Sequence, residues 1–279
     1  MKILQRHTDV AAEASVLAMI GTFDPLSNAH FELFDVMSGA AAERGLTPLI
    51  VVLFPSPAMF VNPGSDSCFA FSALEARIAL IRQRANVRFL IVRMTKRDID
   101  APCVEFFDLL SSRVVVRELW IGARQSLGRG RQGSYDAIAA LAEARAITLQ
   151  RLDARAGLFA GRSALNLASQ GRLKDAIKAT GNPPIWARPK SARLWLSLPI
   201  GRYLAFPITE PAFDLRVTHA PVPVEVKRSS TGARFADWPL PDVSWLLLAS
   251  GPADAERRAT ELLADLQADL SSYRIIESS

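Results

Sequence analysis

The stretch from Gly21 to His30 constrains the fold of this chain more than any other segment. The apolar run 16–20 precedes it and is typical of a buried strand, whereas apolar residues at helical spacing follow over 31–41. A turn from a strand into a helix presents unpaired N–H groups and the positive end of the helix dipole, which favours a bound phosphate. Gly21 permits close backbone approach, and Asp24-Pro25 is a typical turn dipeptide. The alternative is an ordinary strand–helix turn with a polar helix start.

Composition excludes several classes of protein. The chain has 279 residues, of which 49% are hydrophobic, so it can bury the core of one large domain or two modest ones. We find no run of 18 apolar residues and no signal-peptide pattern, so we expect no membrane association and a cytoplasmic location. Cys68 and Cys103 lack metal-binding spacing, and we expect no protein-bound metal. The net charge of +5 suits an anionic small molecule, and no nucleic-acid motif is present.

Apolar runs and helical patterns alternate along the first two thirds of the chain. We predict strands at 16–20, 47–54, 87–94, 119–122 and 147–152, separated by helices of which one follows a capping Ser72. This order predicts an α/β fold with a doubly wound, parallel five-stranded sheet over residues 1–185.

The pattern changes after residue 182. Short strands divided by Pro, Gly and Ser are expected at 192–198, 202–208, 215–218, 222–227 and 244–249, followed by an amphipathic helix over 253–270. We therefore predict a second, mostly antiparallel β module with a C-terminal helix over residues 186–279.

The opening stretch resembles the signature of the nucleotidyltransferase superfamily, G-x-F-D-P-x-H-x-G-H. The residues that match are Gly21, Phe23, Asp24, Pro25 and His30, whereas Ser27 replaces the first His and Ala29 replaces the Gly. In that superfamily the two histidines contact the triphosphate and stabilise charge during attack on the α-phosphate. The resemblance implies catalytic roles for His30 and Ser27. It implies nucleotide contacts at Gly21, Thr22, Phe23, Asp24 and Asn28.

Later segments resemble the bacterial FAD synthases, which are bifunctional riboflavin kinase/FMN adenylyltransferases. Pro55-Ser56-Pro57 resembles their Pro-x-Pro, 104–110 resembles one of their helices, and 120–122 with 128–133 resembles their glycine-rich loop. These elements occur in the family's order, and the chain is identified as a divergent member. The resemblance implies ATP with Mg²⁺ and FMN as ligands, with flavin contacts at Pro55, Pro57, Phe60 and Arg131.

Several family residues are replaced. Arg124-Gln125 stands where the family has Asp-Phe, and the stretch 159–165 lacks the Thr and the terminal Arg of I-S-S-T-x-I-R. We expect nucleotide contacts from Gly122, Arg124, Arg162 and Ser163, the last two from a shifted position. Arg124, Arg129 and Arg131 are candidates to replace the lost cation. The alternatives are a solvated helix start at Arg162 and an exposed basic loop.

Residues 201–210 resemble the G-R-x-x-G-F-P-T-A-N segment of the riboflavin kinase module. Ile208 and Glu210 replace the Thr and Asn that hold nucleotide and magnesium there, so we expect no kinase activity and a structural or dimerising remnant.

Three hypotheses follow. The first is an adenylyltransferase that transfers AMP from ATP to FMN or a related phosphorylated acceptor and releases pyrophosphate. The second is a non-catalytic flavin- or nucleotide-binding protein that acts through a partner. The third is a structural interaction protein. Whether the chain forms a homo-oligomer or binds a protein partner stays open.

Overall fold

The computed structural model describes residues 2–3, 8–57, 60, 71–122, 125, 127–129, 133–152, 160–182, 184–187, 201–208, 214–217, 222–229, 232–235, 245–250 and 274–277. Its contacts divide the chain into two units. The first unit comprises Met1–Phe23, Phe31–Pro63 and Ala85–Arg155. The second comprises Asp24–His30, Gly64–Arg84 and Ala156–Ser279.

The described elements are as follows. The strands are β1 (Lys2–Ile3), β2 (Ser15–Gly21), β3 (Thr47–Phe54), β4 (Arg88–Arg93), β5 (Val115–Gly122), β6 (Thr148–Leu152), β7 (Ile185–Ala187), β8 (Gly201–Ile208), β9 (Asp214–Val217), β10 (Val222–Ser229), β11 (Gly232–Phe235), β12 (Trp245–Ser250) and β13 (Arg274–Glu277). The helices are α1 (Asn28–Glu43), α2 (Leu74–Arg84), α3 (Lys96–Ile99), α4 (Cys103–Ser111), α5 (Tyr135–Glu143), α6 (Ala160–Ser169) and α7 (Leu173–Thr180).

A six-stranded sheet forms the first unit, in the order β1-β4-β3-β2-β5-β6. Strands β2 to β6 are parallel, which confirms the predicted five-stranded α/β sheet. The apolar runs of β2, β3 and β4 are buried on both faces, as parallel strands covered by helices require; residues 16–20 of β2 are at most 3% exposed. The residues of β6, at one edge of the sheet, are exposed or partly exposed. Strand β1, which pairs antiparallel with β4 at one edge, was not predicted from the sequence.

The strand order reverses beside β2, because β3 lies on one side of it and β5 on the other. Ligands of open α/β sheets bind at such a switch point, beyond the carboxyl ends of the strands. Met19 of β2 is in register with Trp120 of β5, so Gly21 and Gly122 end two neighbouring strands. The fold therefore brings these two predicted nucleotide-binding glycines to the same edge of the sheet.

Helix α1 buries the apolar face that its sequence predicts, with Phe31, Leu33, Phe34, Met37 and Ala41 all buried. Just after its end, Arg44 donates to the carbonyl of Ala40 and pairs with Glu118 on β5 at an Nε–Oε2 distance of 3.3 Å. The other carboxylate oxygen of Glu118 accepts a 2.7 Å hydrogen bond from Trp120 Nε1. These bonds satisfy a buried carboxylate and hold α1 against the sheet.

The second unit contains α2, α6, α7 and a seven-stranded sheet with the order β11-β10-β8-β12-β7, to which β9 and β13 are attached through β8. Its pairings are antiparallel except for β9 with β13, which confirms the predicted mostly antiparallel module. Strands β7, β11 and β13 were not predicted. The strand expected at 192–198 and the helix expected at 253–270 lie outside the described residues.

Ser72 does not cap a helix as predicted. Its hydroxyl accepts from the N–H of Ile185 at 3.3 Å, and the N–H of Ala73 donates to the carbonyl of Ile185 at 2.9 Å. The two residues before α2 therefore bind β7, which the local sequence pattern could not indicate. The domain boundary at 185/186 stays a prediction. None of the described helices has the length and apolar character needed to cross a membrane.

Gly39 and Gly133 should respond in opposite ways to alanine. Gly39 is exposed within α1, and an added Cβ would meet no described heavy atom within 4 Å. Gly39→Ala should therefore raise the free energy of unfolding by about 0.5–1 kcal/mol, since alanine loses less backbone entropy in a helix. A Cβ at Gly133 would overlap the carbonyl oxygen of Leu127. Gly133→Ala should therefore lower the free energy of unfolding by about 1–3 kcal/mol. Urea denaturation measures both; equal effects would contradict the packing described.

Candidate functional site

The turn after β2 begins with two residues that pack on each other. Phe23 has a φ of +49° and is 6% exposed, and its ring meets Phe34 edge-on at a centroid distance of 5.4 Å. A Cβ at Gly21 would lie 2.8 Å from Phe23 Cζ. Glycine is therefore required at position 21 by the Phe23 ring, whether or not a ligand approaches. Thr22, between them, is partly exposed.

Asp24 is an anchor of the turn within the second unit. Its two carboxylate oxygens accept the backbone N–H groups of Phe71 at 2.9 Å and Ser72 at 3.0 Å. The Nε of Arg77 lies 3.9 Å from Asp24 Oδ1, and both side chains are nearly buried, at 4% and 5% exposure. Burial raises the pKa of the Asp24 carboxyl, whereas the Arg77 guanidinium and the two N–H donors oppose that rise. These contacts fix the backbone of the turn.

Ser27 and His30 cap the start of α1. The N–H of Ser27 donates to His30 Nδ1 at 3.1 Å, and Ser27 Oγ lies 2.8 Å from the same nitrogen. Since α1 begins at Asn28, His30 takes the third helical position and binds back to the residue before the helix, as the acid of a capping box does. Ser27 is only 2% exposed, so its hydroxyl serves His30 rather than the surface.

These hydrogen bonds assign the tautomer of His30. A backbone N–H always donates, so Nδ1 is the acceptor and the ring proton resides on Nε2. Burial lowers the pKa of His30 to about 4, and the imidazole is therefore neutral near pH 7. His30, which is partly exposed, is thus a neutral Nε2–H donor at the start of a helix.

Asn28 lies against Gly181 and Asn182, which were not predicted to belong to the site. Gly181 follows α7 with a φ of +70°, and its N–H donates to the carbonyl of Ile177 at 2.8 Å. A Cβ at Gly181 would overlap Asn28 Nδ2, and Asn182 Nδ2 lies 3.5 Å from Asn28 Oδ1. A glycine after an amphipathic helix is a recognisable helix-end signal, but nothing local indicates contact with the turn at 24–30.

Gly122 ends β5 beside open space. An added Cβ there would meet none of the heavy atoms in the described part of the chain within 4 Å. Gln125 folds back on it: the N–H of Gln125 donates to the carbonyl of Gly122 at 2.9 Å, and Gly122 N–H lies 3.4 Å from Gln125 Oε1. Gln125, which replaces an aromatic residue of the family, therefore closes a turn. Arg124 lies outside the described residues.

The glycine-rich loop packs on the start of α4. Gly128 has a φ of +75°, and its Cβ would lie 2.8 Å from the backbone nitrogen of Cys103. Leu127 and Gly133 exchange both backbone hydrogen bonds, at 3.1 and 2.9 Å. Arg129 donates from Nε to the carbonyl of Asp100 at 2.8 Å, so part of its guanidinium is committed to the loop. Arg131 lies outside the described residues.

The remaining predicted contacts occupy two places. Pro55 and Pro57 follow β3 and are partly exposed, and the N–H of Phe60 donates to the carbonyl of Pro57 at 3.0 Å. Phe60 also packs on the core of the first unit. In the second unit, Ser163 is exposed on α6, and Arg162 lies in the first turn of the same helix. Within the described ranges, no group of three or more His, Cys, Asp or Glu side chains could hold a metal ion.

Comparison with known proteins identifies one family. The model of the FAD synthetase family matches residues 9–156, just over half of the chain. A crystal structure described as a macrolide-efflux protein from Streptococcus pneumoniae is similar in fold, with a TM-score of 0.57 over 96% of this chain and 95% of that one. Its sequence is 13% identical, so the similarity concerns the fold alone. No curated protein matches the chain.

Asp24→Ala should be strongly destabilising. The substitution leaves the Arg77 guanidinium buried without its carboxylate, and breaking a buried ion pair costs about 3–5 kcal/mol. Urea denaturation measures the change against Asp35→Ala, which removes an exposed carboxylate from α1 and should change the free energy of unfolding by less than about 0.5 kcal/mol. Equal effects of the two substitutions would show that Asp24 does not anchor the turn.

His30 should make stability depend on pH. Its pKa is about 4 in the folded protein against an ordinary histidine pKa of 6.5, so the unfolded chain takes up a proton first as pH falls. The contribution of neutral His30 to the free energy of unfolding is fully present above pH 6.5 and is lost progressively towards pH 4. From pH 7 to 4.5 the wild type should lose about 2–3 kcal/mol more stability than His30→Gln, measured by urea denaturation. Parallel losses in the two proteins would contradict the depressed pKa.

Proposed function

The chain belongs to the FAD synthetase family, and on that premise we propose that it transfers the AMP group of ATP to FMN and releases pyrophosphate. The observation that carries the proposal is the state of His30, a neutral Nε2–H donor at the start of α1. The first turn of a helix also supplies unpaired N–H groups and a positive dipole end, which attract a triphosphate.

Capping alone does not account for an imidazole at this position. At α3 the same geometry uses an acid: Thr95 donates both its N–H, at 2.9 Å, and its hydroxyl, at 2.6 Å, to Asp98 Oδ2. A carboxylate is the stronger acceptor and also favours the positive end of the helix. His30 is therefore a poorer cap than Asp, but unlike Asp it carries an N–H on the ring nitrogen that does not cap the helix. This difference supports a role in ligand binding.

In the proposed reaction, an oxygen of the FMN phosphate attacks the α-phosphorus of ATP in line. The bond from the α-phosphorus to the bridging oxygen breaks, and pyrophosphate leaves. His30 Nε2–H and the N–H groups of α1 stabilise the charge that develops on phosphate oxygens. Mg²⁺ would be held mainly by the phosphates. Catalysis then consists of positioning and charge stabilisation without a protein nucleophile.

The flavin is proposed to lie along the rim that follows β3, where Pro55 and Pro57 are partly exposed. Gly122, at the end of β5, is proposed to contact the nucleotide, because no described heavy atom lies within 4 Å of a Cβ added there. Thr22, Phe23, Asp24 and Asn28 contribute by holding or flanking the turn. Arg124, Arg131, Arg162 and Ser163 stay proposed phosphate contacts. Arg129 is a weaker candidate, because its Nε already binds the Asp100 carbonyl.

A second candidate function is a non-catalytic flavin- or nucleotide-binding protein. One observation favours it: Ser27, which replaces a family histidine, is 2% exposed and bonded to His30. The hydroxyl therefore does not replace the lost contact to the triphosphate. Loss of one preorganised donor costs about 10²–10³ in rate, so the proposed enzyme should be slow.

The test is FAD formation from FMN, ATP and Mg²⁺, followed by chromatography. His30→Gln should lower kcat by about 10²–10³, because Gln can still accept from Ser27 N–H and cap the helix but places its donor differently. The matched control is His219→Gln, a substitution outside the motif, which should leave the rate unchanged. If the wild type forms no FAD, calorimetry with ATP, FMN and FAD decides between the alternatives: binding supports the non-catalytic protein, and no binding supports a structural one.

A further inference from the structure

Asn182 is a buried amide whose donor group faces the turn. It is 2% exposed, and its Nδ2 lies 3.3 Å from the carbonyl oxygen of Leu26 and 3.1 Å from that of Thr180. The same nitrogen lies 3.5 Å from Asn28 Oδ1. Three oxygens therefore surround the NH₂ group, and a flipped amide would place its oxygen against all of them. The orientation of the amide is fixed by these acceptors.

The oxygen of the Asn182 amide, Oδ1, is buried and has no donor among the described residues. A buried acceptor without a donor is unfavourable, and such groups in native proteins call for an explanation. If Asn182 only filled space, a residue without this oxygen would serve better. The contacts that the Asn182 side chain makes are those of its NH₂ group with Leu26, Thr180 and Asn28.

The backbone around Asn182 is itself held by local hydrogen bonds. Its N–H donates to Thr180 Oγ1 at 3.2 Å, and that hydroxyl lies 2.8 Å from the carbonyl oxygen of Asn182. Gly181, in the left-handed region, packs so closely on Asn28 that a Cβ would overlap the amide of Asn28. Residues 181 and 182 thus contact Asn28 and Leu26, the two neighbours of Ser27 in the chain.

We propose that Asn182 is a positioning residue, which holds the backbone carbonyl of Leu26 and the side-chain amide of Asn28 on either side of Ser27 and thereby orients the Ser27–His30 pair. Both bonds to His30 Nδ1 originate from Ser27, so movement of Leu26 or Asn28 displaces the donors that select the Nε2–H tautomer. The expected effect of Asn182 on nucleotide binding rests on the proposed function. Its expected effect on the tautomer of the His30 ring is independent of that function.

The test compares Asn182→Asp with Asn166→Asp, which makes the same substitution at an exposed position of α6. Aspartate keeps the shape of asparagine, but its carboxylate has no N–H to donate and repels the neighbouring carbonyl oxygens. The ¹⁵N shifts of the His30 ring nitrogens should move from the Nε2–H pattern towards those of a histidine that exchanges tautomers. The signal is assigned by its loss in His30→Gln. Asn166→Asp should leave it unchanged.

The second readout is the dissociation constant for ATP with Mg²⁺, measured by calorimetry. Asn182→Asp should raise it about tenfold, the effect of one or two lost hydrogen bonds, and Asn166→Asp should not change it. The proposal is overturned if Asn182→Asp lowers the melting temperature but leaves the His30 shifts as in the wild type. Should Asn182→Asp not fold, Asn182→Ser, which removes the amide without adding charge, is judged by the same shifts. If the wild type binds no ATP, the proposed function fails and the ring shifts still decide the inference.

Discussion

The hydrogen bonds from Ser27 to one nitrogen of His30 are the interaction on which the candidate site depends. They satisfy a backbone N–H at a helix start and place the ring proton on the opposite nitrogen. One side chain therefore has two distinct nitrogens: Nδ1 caps the helix, and Nε2 carries the ring proton. A charged imidazole could not accept at Nδ1, so the neutral state that burial imposes is also the state that the cap requires.

Most of the matching signature residues have structural explanations in this chain. Phe23 fills the space above Gly21, and Asp24 binds two backbone N–H groups and lies beside Arg77. These contacts define the shape of the turn without reference to any ligand. His30 is the member of the motif for which we propose a role beyond capping the helix. The signature is accordingly strong evidence for the fold and weaker evidence for the rate of a reaction.

The centre of the sheet was predictable from sequence because β2, β3 and β4 are buried parallel strands with continuous apolar runs. The five predicted strands correspond to β2 to β6. The two-residue β1 and the four-residue α3 were missed because elements this short carry no periodicity. The anchors of the site were missed for another reason. Asp24 binds a residue 47 positions away, and Asn182 binds one 156 positions away, and local patterns contain no information on such pairs.

The contact between Gly21 and Phe23 has a consequence for the ancestry of such chains. A side chain at position 21 would occupy the volume of the aromatic ring, and a smaller residue at position 23 would leave that volume empty. Gly21 and Phe23 therefore depend on each other sterically, and a substitution at one position requires a substitution at the other. In a lineage that has lost its catalytic histidines, this pair should be among the last parts of the signature to disappear.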